Sequence, residues 1–537
     1  MDKQKQKADV IKKGKYMENM AMSVKNEQRL GRAAGILLPV SSLPSKYGIG
    51  TFGDEAYEFV DALVEAGQKF WQVLPLGPTS YGDSPYQSFS AFAGNPYFID
   101  LDYLVKEGLI TEEQIQAKSW GDNPKDIDYA TIFNNRFDLL KEAYHNSNFK
   151  ETKEYQTFAA NSTYWLDDYS FYMALKGQFN NQSWTEWDED IKFRQEEAVA
   201  KYHEELADEI DFWKFCQFKF YEQWGKLKEY ANEKGVQIIG DIPLYVSMDS
   251  SDVWVHGRLF ELDERKNPIN VAGVPPDCFS ETGQRWGNPL YDWTAMEKED
   301  FSWWRERMKA NATLYDVIRI DHFIGVVRYY RIPSSCETAM EGRWKKGPGI
   351  KLTTAIKESI GGAKIIAEDL GVVVPSVVEL MEEMGWPGMK IMQFAFDGNT
   401  TNNNLPHTYR NNMLVYGGTH DNETLVGFFE PKTEEEMEYT YKYLNVTTKA
   451  EVPKAIIRSS YASVADVVIM QMQDILELDN SARMNLPSSV GQNWRWRMTK
   501  GQFTEEHIAY LKELTEIYNR DGKVSEEEPV SEDDTEE

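Results

Sequence analysis

The segment DVIRIDHF, residues 316–323, reads as a strand covered on both faces that ends in charge. Val317, Ile318 and Ile320 leave it without the polar face of a half-exposed strand. Arg319 and Asp321 stand two apart, so on a strand both side chains point to one face. Six more short apolar runs have this form: GILLPVSSL (35–43), FWQVLPLGP (70–78), VQIIGDIPLYV (236–246), KIIAEDLG (364–371), MKIMQFAF (389–396) and MLVYGGTHD (413–421). Helical patterns lie between some of them, such as DEAYEFVDALVEAG (54–67) and TTAIKESIG (353–361). Strand–helix alternation implies a parallel sheet. Seven runs, with an eighth expected near ARMNLP (482–487), predict an α/β fold, a (β/α)8 TIM barrel.

The spacing of the runs is uneven. Residues 79–235 and 247–315 are long interruptions, read as large, mostly helical inserted subdomains, and residues 430–480 also read as helical. Long insertions in a barrel gather at its C-terminal rim, where they build the substrate groove. The expected division is therefore a charged extension over 1–30, a catalytic barrel over 31–505 and a helical end over 506–522. An acidic, disordered tail is expected over 523–537, which ends in VSEEEPVSEDDTEE.

Bulk composition removes several functions. A net charge of −29 on 537 residues argues against nucleic acid or an anionic membrane as the main partner. Cys216, Cys278 and Cys336 lie far apart with no C-x-x-C pair, so neither a disulfide framework nor a zinc site is indicated. The N-terminal stretch MDKQKQKADVIKKGKYMENM is basic but lacks the apolar core of a secretory signal, and no run of 18 apolar residues occurs. These features fit a cytoplasmic protein. Aromatic residues make up 13% of the chain. That suits stacking on sugar rings, and it equally suits a large aromatic core.

The chemistry gathers where the apolar runs end. Asp241 follows QIIG, Arg319 and Asp321 close VIRID, Glu368 and Asp369 close IIAED, and His420 and Asp421 close YGGTHD. A charge at the end of a buried strand is costly unless it has a partner or a purpose. One such residue is as readily a structural ion pair or a helix cap; four equivalent strand ends are harder to explain that way. Arg319 beside Asp321 is expected to keep that carboxylate ionised, as a nucleophile requires. Glu368, among other carboxylates, is expected to have a raised pKa, as a general acid requires. On neighbouring strands the two carboxyls can lie roughly 5 Å apart, the separation of retaining glycosidases.

The order Arg-x-Asp-His, Glu-Asp, His-Asp resembles the α-amylase superfamily, and the surrounding segments resemble its amylomaltase branch, glycoside hydrolase family 77. They include LPVSSLPSKYGIGTFGDEAYEFVD (38–61), WQVLPLGPTSYGDSPYQSFSAFAGNPYFIDLD (71–102), IIGDIPLYVSMDSSDVW (238–254), VAGVPPDCFSETGQRWGNPLYDW (271–293), GRWKKGPG (342–349), GTHDNETLVGFF (418–429) and RMNLP with GQNWRWR (483–497). The resemblance implies a 4-α-glucanotransferase, with Asp321 as nucleophile, Glu368 as acid/base and Asp421 as transition-state stabiliser. It implies sugar-binding roles for Ser84, Tyr86, Asp241, Asp277, Phe279, Trp286, Arg319, His420 and Asn485, with a mobile acceptor-side loop over 271–289. The implied donors are α-1,4-glucans and malto-oligosaccharides, the acceptors glucose or maltodextrin. Ile324, Val327 and Tyr330 depart from the family's frequent Arg, Glu and Trp on the acceptor side.

GIGTFG (48–53) matches a dinucleotide fingerprint, but the next strand ends in LPLGP without the acidic residue that would hold a ribose. No histidine spacing suggests a metal, and no cofactor is expected. A hydrolase of the same fold would carry the same three carboxylates, since only the molecule that resolves the glycosyl-enzyme differs. A glucan-binding protein with degenerate chemistry is disfavoured by their presence.

Overall fold

The computed structural model describes residues 28–80, 82–276 and 280–522. The extension expected over 1–30 lies almost wholly outside them. The acidic tail, Asp277 and Phe279 lie outside them altogether.

Eight short parallel strands form the centre: β1 (Ala33–Leu37), β2 (Phe70–Gln72), β3 (Gln237–Pro243), β4 (Val317–Asp321), β5 (Lys364–Ala367), β6 (Gly388–Ile391), β7 (Met413–Tyr416) and β8 (Val467–Gln471). They are hydrogen-bonded in the order β6-β7-β8-β1-β2-β3-β4-β5. The remaining seam is bridged by the Ala367 N–H, which donates to Pro387 O at 3.0 Å, so the sheet curls into a (β/α)8 barrel. Ile36, Trp71, Ile239, Ile318, Ile366, Leu414 and Val468 are fully buried, as strands covered by helices on one side and packed side chains on the other must be.

Each of the seven expected runs contributes a strand. The eighth strand is elsewhere: it is VVIMQ (467–471), within the region read as helical. Only Ser463 to Asp466 separate it from helix Val452–Ala462, so the helical period of one element runs into the apolar run of the next. ARMNLP instead begins on the last residue of a 3-10 turn, Asn480–Ala482, and continues as irregular backbone at the barrel mouth.

Between β2 and β3 the chain is mostly helical and ends in Ala207–Glu233, a helix of 27 residues. Aromatic rings bind this layer together, for example Phe149 against Tyr155 at 4.6 Å and Phe179 against Trp187 at 5.4 Å. Trp71, Trp184, Trp224, Trp303, Trp304 and Trp386 are fully buried. Of the 16 tryptophans, only Trp286, Trp344 and Trp494 line the cleft described below. Aromatic content is thus mainly a packing property of this chain.

Between β3 and β4 the chain also supplies strands Asn270–Val274 and Gln284–Pro289. They join Arg328–Pro333 and Arg343–Lys346 in a four-stranded antiparallel sheet beside the barrel mouth. Residues 271–289, expected as a loop, therefore have paired arms at both ends, with Gly273 opposite Arg285 and Val274 opposite Gln284.

The GIGTFG segment is a packing motif. A side chain at Gly50 would strike Val40 O at 1.8 Å, and one at Gly53 would strike the Asp100 carboxylate at 2.2 Å. Gly53 caps helix Asp54–Glu65, so Asp100 already occupies the space where a phosphate would meet that helix N-terminus.

Candidate active site

Arg319, on β4, is the centre of the site. Its Nη1 donates to both Asp241 oxygens, at 2.7 and 2.6 Å, and its Nη2 lies 3.1 Å from Asp321 Oδ1. The register explains this, since Asp241 pairs with Arg319 across β3 and β4, and Arg319 and Asp321 share a face. Asp241 also accepts from the Tyr86 hydroxyl at 2.8 Å. Asp241 is fully buried, and there it holds both Arg319 and Tyr86.

Ile320 of β4 pairs with Ala367 of β5, and one step further along the same register stand Asp321 and Glu368. The Glu368 N–H donates to Ile320 O at 3.1 Å, and the Phe323 N–H to Glu368 O at 3.0 Å. Neighbouring strands run about 4.8 Å apart, so the two carboxyls emerge side by side at the C-terminal mouth of the barrel. Glu368 Oε2 accepts the His322 N–H at 2.7 Å, and Oε1 accepts the Leu370 N–H at 2.5 Å. Asp369 points away, accepting from the Met389 N–H at 2.7 Å on β6.

Burial pushes the Glu368 carboxyl up to about 7, against the pull of Arg319 and its two backbone donors. It is therefore largely protonated just below neutrality, as a general acid must be. Asp321 behaves differently from the sequence expectation. Burial pushes its carboxyl up as well, and Asp241, Glu368 and Asp421 add to this while Arg319 opposes it. The arginine's charge is divided, because Asp241 has taken one arm of the guanidinium with both oxygens. Positive charge developing at a bound sugar carbon would favour the ionised form of Asp321.

Asp421 follows β7. Its Oδ1 accepts from Asn485 Nδ2 at 2.6 Å, and its Oδ2 lies 3.4 Å from His420 Nε2. Arg483 Nη2 donates to its backbone carbonyl at 2.7 Å. Burial lowers the His420 pKa and keeps the imidazole neutral, and the facing carboxylate places the proton on Nε2. Tyr86 stacks on His420 at 5.0 Å, and Trp494 closes against both rings at 5.7 and 5.8 Å.

These groups line an open cleft of about 690 Å³. Ser84, Tyr86, Trp286, Arg319, Asp321, Glu368, His420, Asp421 and Asn485 all face it. Trp286 reaches it from the hairpin arm Gln284–Pro289, edge-on to His322 at 4.8 Å. Two lining residues absent from the sequence reading are Trp344 and Trp494. Their signal was a tryptophan in a polar, glycine-containing stretch, GRWKKGPG and GQNWRWR, where a core tryptophan has little to pack against. His322 also lines the cleft, with a left-handed backbone at φ 54° and a buried Nε2 that has no partner among the described residues.

A barrel whose mouth presents a buried arginine between aspartates, with a protonatable glutamate on the next strand, defines an enzyme of glycosidic-bond chemistry. The sequence model described as 4-alpha-glucanotransferase, glycoside hydrolase family 77, matches residues 38–503, which include seven of the eight barrel strands. The chain is 50% identical to a Clostridium butyricum 4-alpha-glucanotransferase over 483 residues, 90% of this chain and 99% of the other. It is 45% identical to a Thermus thermophilus 4-alpha-glucanotransferase, over 91% of this chain and 99% of the other. Among solved structures, an amylomaltase from Streptococcus agalactiae in complex with acarbose superposes with a TM-score of 0.88 at 45% identity, covering 91% of this chain and 99% of that one. The chain belongs to the 4-alpha-glucanotransferase family and is an enzyme of that type.

Proposed function

We propose that this cleft cuts an α-1,4-glucan and passes the cut segment to the 4-hydroxyl of glucose or a maltodextrin by retaining double displacement. Asp321 attacks the anomeric carbon while Glu368 protonates the departing oxygen, leaving a glycosyl-enzyme. The acceptor hydroxyl then gives its proton to Glu368 as it displaces Asp321. Asp421, fixed by Asn485 and Arg483, offers charge to the oxocarbenium-like transition state, and Arg319 orients Asp321. Ser84, Tyr86, His420, Asn485 and Trp286 are assigned to sugar contact, and Asp277 and Phe279 keep the sugar-contact roles that the family resemblance implies. The observation that carries this reading is the register that sets Asp321 and Glu368 side by side at the barrel mouth, with Arg319 beneath.

A cytoplasmic setting suits the free thiols of Cys216 and Cys336. No helix among the described residues is long and apolar enough to cross a membrane. Maltotriose alone tests the activity. Transfer gives glucose with maltotetraose and longer chains, and little net gain in reducing ends. Steady accumulation of reducing ends with nothing longer than the substrate would identify a hydrolase instead.

A further inference from the structure

The four-stranded sheet beside the cleft carries charge that its own packing does not explain. Arg328 stands directly opposite Lys346, and Arg331 directly opposite Arg343. Like charges facing each other across an antiparallel pair are unfavourable, with Cβ atoms only about 5 Å apart. This occurs in a chain with 87 acidic and 58 basic residues, where an acid would be the commoner neighbour. Glu261 meets Arg331 at 3.0 Å and offsets that pair. The Arg328–Lys346 pair has no acid: Lys346 is exposed and makes no ion pair or side-chain hydrogen bond with a described residue. Arg328 spends one donor on Val372 O, at 2.9 Å, and its buried Nε has no partner among the described residues.

Position matters as much as charge. Trp344 lies two residues from Lys346 and shares its face. The Arg328 guanidinium sits over the Trp344 ring at 4.2 Å, and Tyr330 braces that ring edge-on at 5.2 Å. Trp344 lines the catalytic cleft. The Arg328–Lys346 pair is at the barrel end of the sheet, where the Gly347 N–H donates to Val327 O at 2.8 Å. Val372, which Arg328 grips, is four residues beyond Glu368. Two unneutralised cations and an aromatic ring thus adjoin the mouth of the site.

We propose that Arg328, Lys346 and Trp344 form a subsite for a phosphate monoester carried on a glucan acceptor. A phosphate monoester carries most of two negative charges at neutral pH and accepts from both cations, while the ring of Trp344 takes the apolar face of the sugar that bears it. The inference rests on the transferase reading above. In the step it favours, O4 of the phosphorylated acceptor bonds to the anomeric carbon, the bond to Asp321 breaks, and the O4 proton goes to Glu368. The phosphate itself does not react.

The test compares a maltodextrin bearing 6-phosphate esters with the same chain after phosphatase treatment, as acceptors for the glycosyl group. Wild-type enzyme should prefer the phosphorylated chain by roughly tenfold in kcat/KM, the scale of one charge-assisted contact. K346E and R328Q should bring the two acceptors to near parity. Inorganic phosphate alone should bind wild-type enzyme more tightly than K346E in calorimetry, a readout that needs no turnover. Equal use of both chains by wild-type enzyme, or a preference that survives K346E, overturns the inference. Failure to extend even the dephosphorylated chain would instead count against the transferase reading, and equal phosphate binding by wild type and K346E would still sink the subsite.

Discussion

The backbone N–H of His322 donates to Glu368 Oε2 at 2.7 Å, so the residue after the candidate nucleophile holds the candidate acid in place. His322 makes this bond from a left-handed backbone, φ 54°, which turns the chain sharply at the end of β4. Asp321 and Glu368 are therefore coupled through one peptide as well as through space, and each can be tested only with the other intact.

Asp321→Asn removes the carboxylate but keeps its shape. The variant should fold and bind maltodextrin, while transfer from maltotriose falls by about a thousandfold or more, because no other group can form the covalent bond. Product chromatography against a matched melting curve checks this. Activity within a few fold of wild type would mean that another residue attacks the sugar.

Glu368→Gln removes the acid at constant size. It should still use a glycosyl fluoride, whose leaving group needs no proton, far better than maltotriose. The pH profile gives a second reading. With Glu368 raised to about 7, the protonated acid is present below that pH, and kcat/KM on maltotriose should fall as pH rises through it. The sign for folding is the same: the raised value means burial is tolerated by the protonated form, so this group's contribution to stability is lost as pH rises through about 7. An alkaline limb near 7 that persists in the glutamine variant acting on the fluoride would assign it to another group.

Arg520 closes the other end of the barrel. Fully buried, it donates to the carbonyls of Tyr461 at 2.7 Å, Ser463 at 3.0 Å, and Ala33, Ala465 and Asp466 each at 3.1 Å. It thus ties the segment after helix Glu505–Ile517 to β1 and to the entry of β8. Arg520→Ala leaves these carbonyls without donors and should cost about 3 kcal/mol or more of stability. Arg520→Lys should recover part of this, since an ammonium has only three donors. Denaturant unfolding measures both. A loss below about 1 kcal/mol for the alanine variant would show that water replaces the guanidinium.

How far the sequence disclosed the site follows from what strands do to side chains. Arg319, Asp321 and Glu368 were legible because an inward strand position fixes direction by alternation, and a charge at the end of a buried run stands out. The three-cornered bond from Arg319 to Asp241 and Asp321 was not legible in full. Alternation says which way a side chain points, but neither how deeply it is buried nor which carboxylate takes which nitrogen, and burial first of all is why the Asp321 carboxyl is pushed up against the sequence expectation. VVIMQ escaped because its strand follows a helix after only four residues, with no glycine or proline between them. Trp344 escaped because its strand, Arg343–Lys346, is only four residues long and mostly polar, and Trp494 because it reaches the cleft from irregular chain, where no period exists to read.

Transfer rather than hydrolysis requires that water lose to a sugar far more dilute than itself, and this can come only from holding the acceptor in place. Trp286 is placed for that work. It sits on the hairpin arm Gln284–Pro289 at the cleft wall, half-buried, with its Nε1 donating to Gln284 Oε1 at 3.1 Å and its ring edge-on to His322. On the transferase reading proposed above, that ring stacks on an acceptor sugar and displaces water from the cleft it shares with Asp321. Trp286→Ala should leave glycosyl-enzyme formation comparatively intact, because the catalytic carboxyls and Arg319 are untouched. Its resolution should change: the ratio of reducing ends released to chains lengthened should rise, by about tenfold for the loss of one well-placed aromatic contact. Trp286→Phe should restore much of the wild-type ratio. Following glucose, longer maltodextrins and total reducing ends from maltotriose in the same reactions measures it. If the alanine variant slows transfer and hydrolysis by the same factor, Trp286 serves donor binding or the fold, and the acceptor must be held by other residues of the cleft.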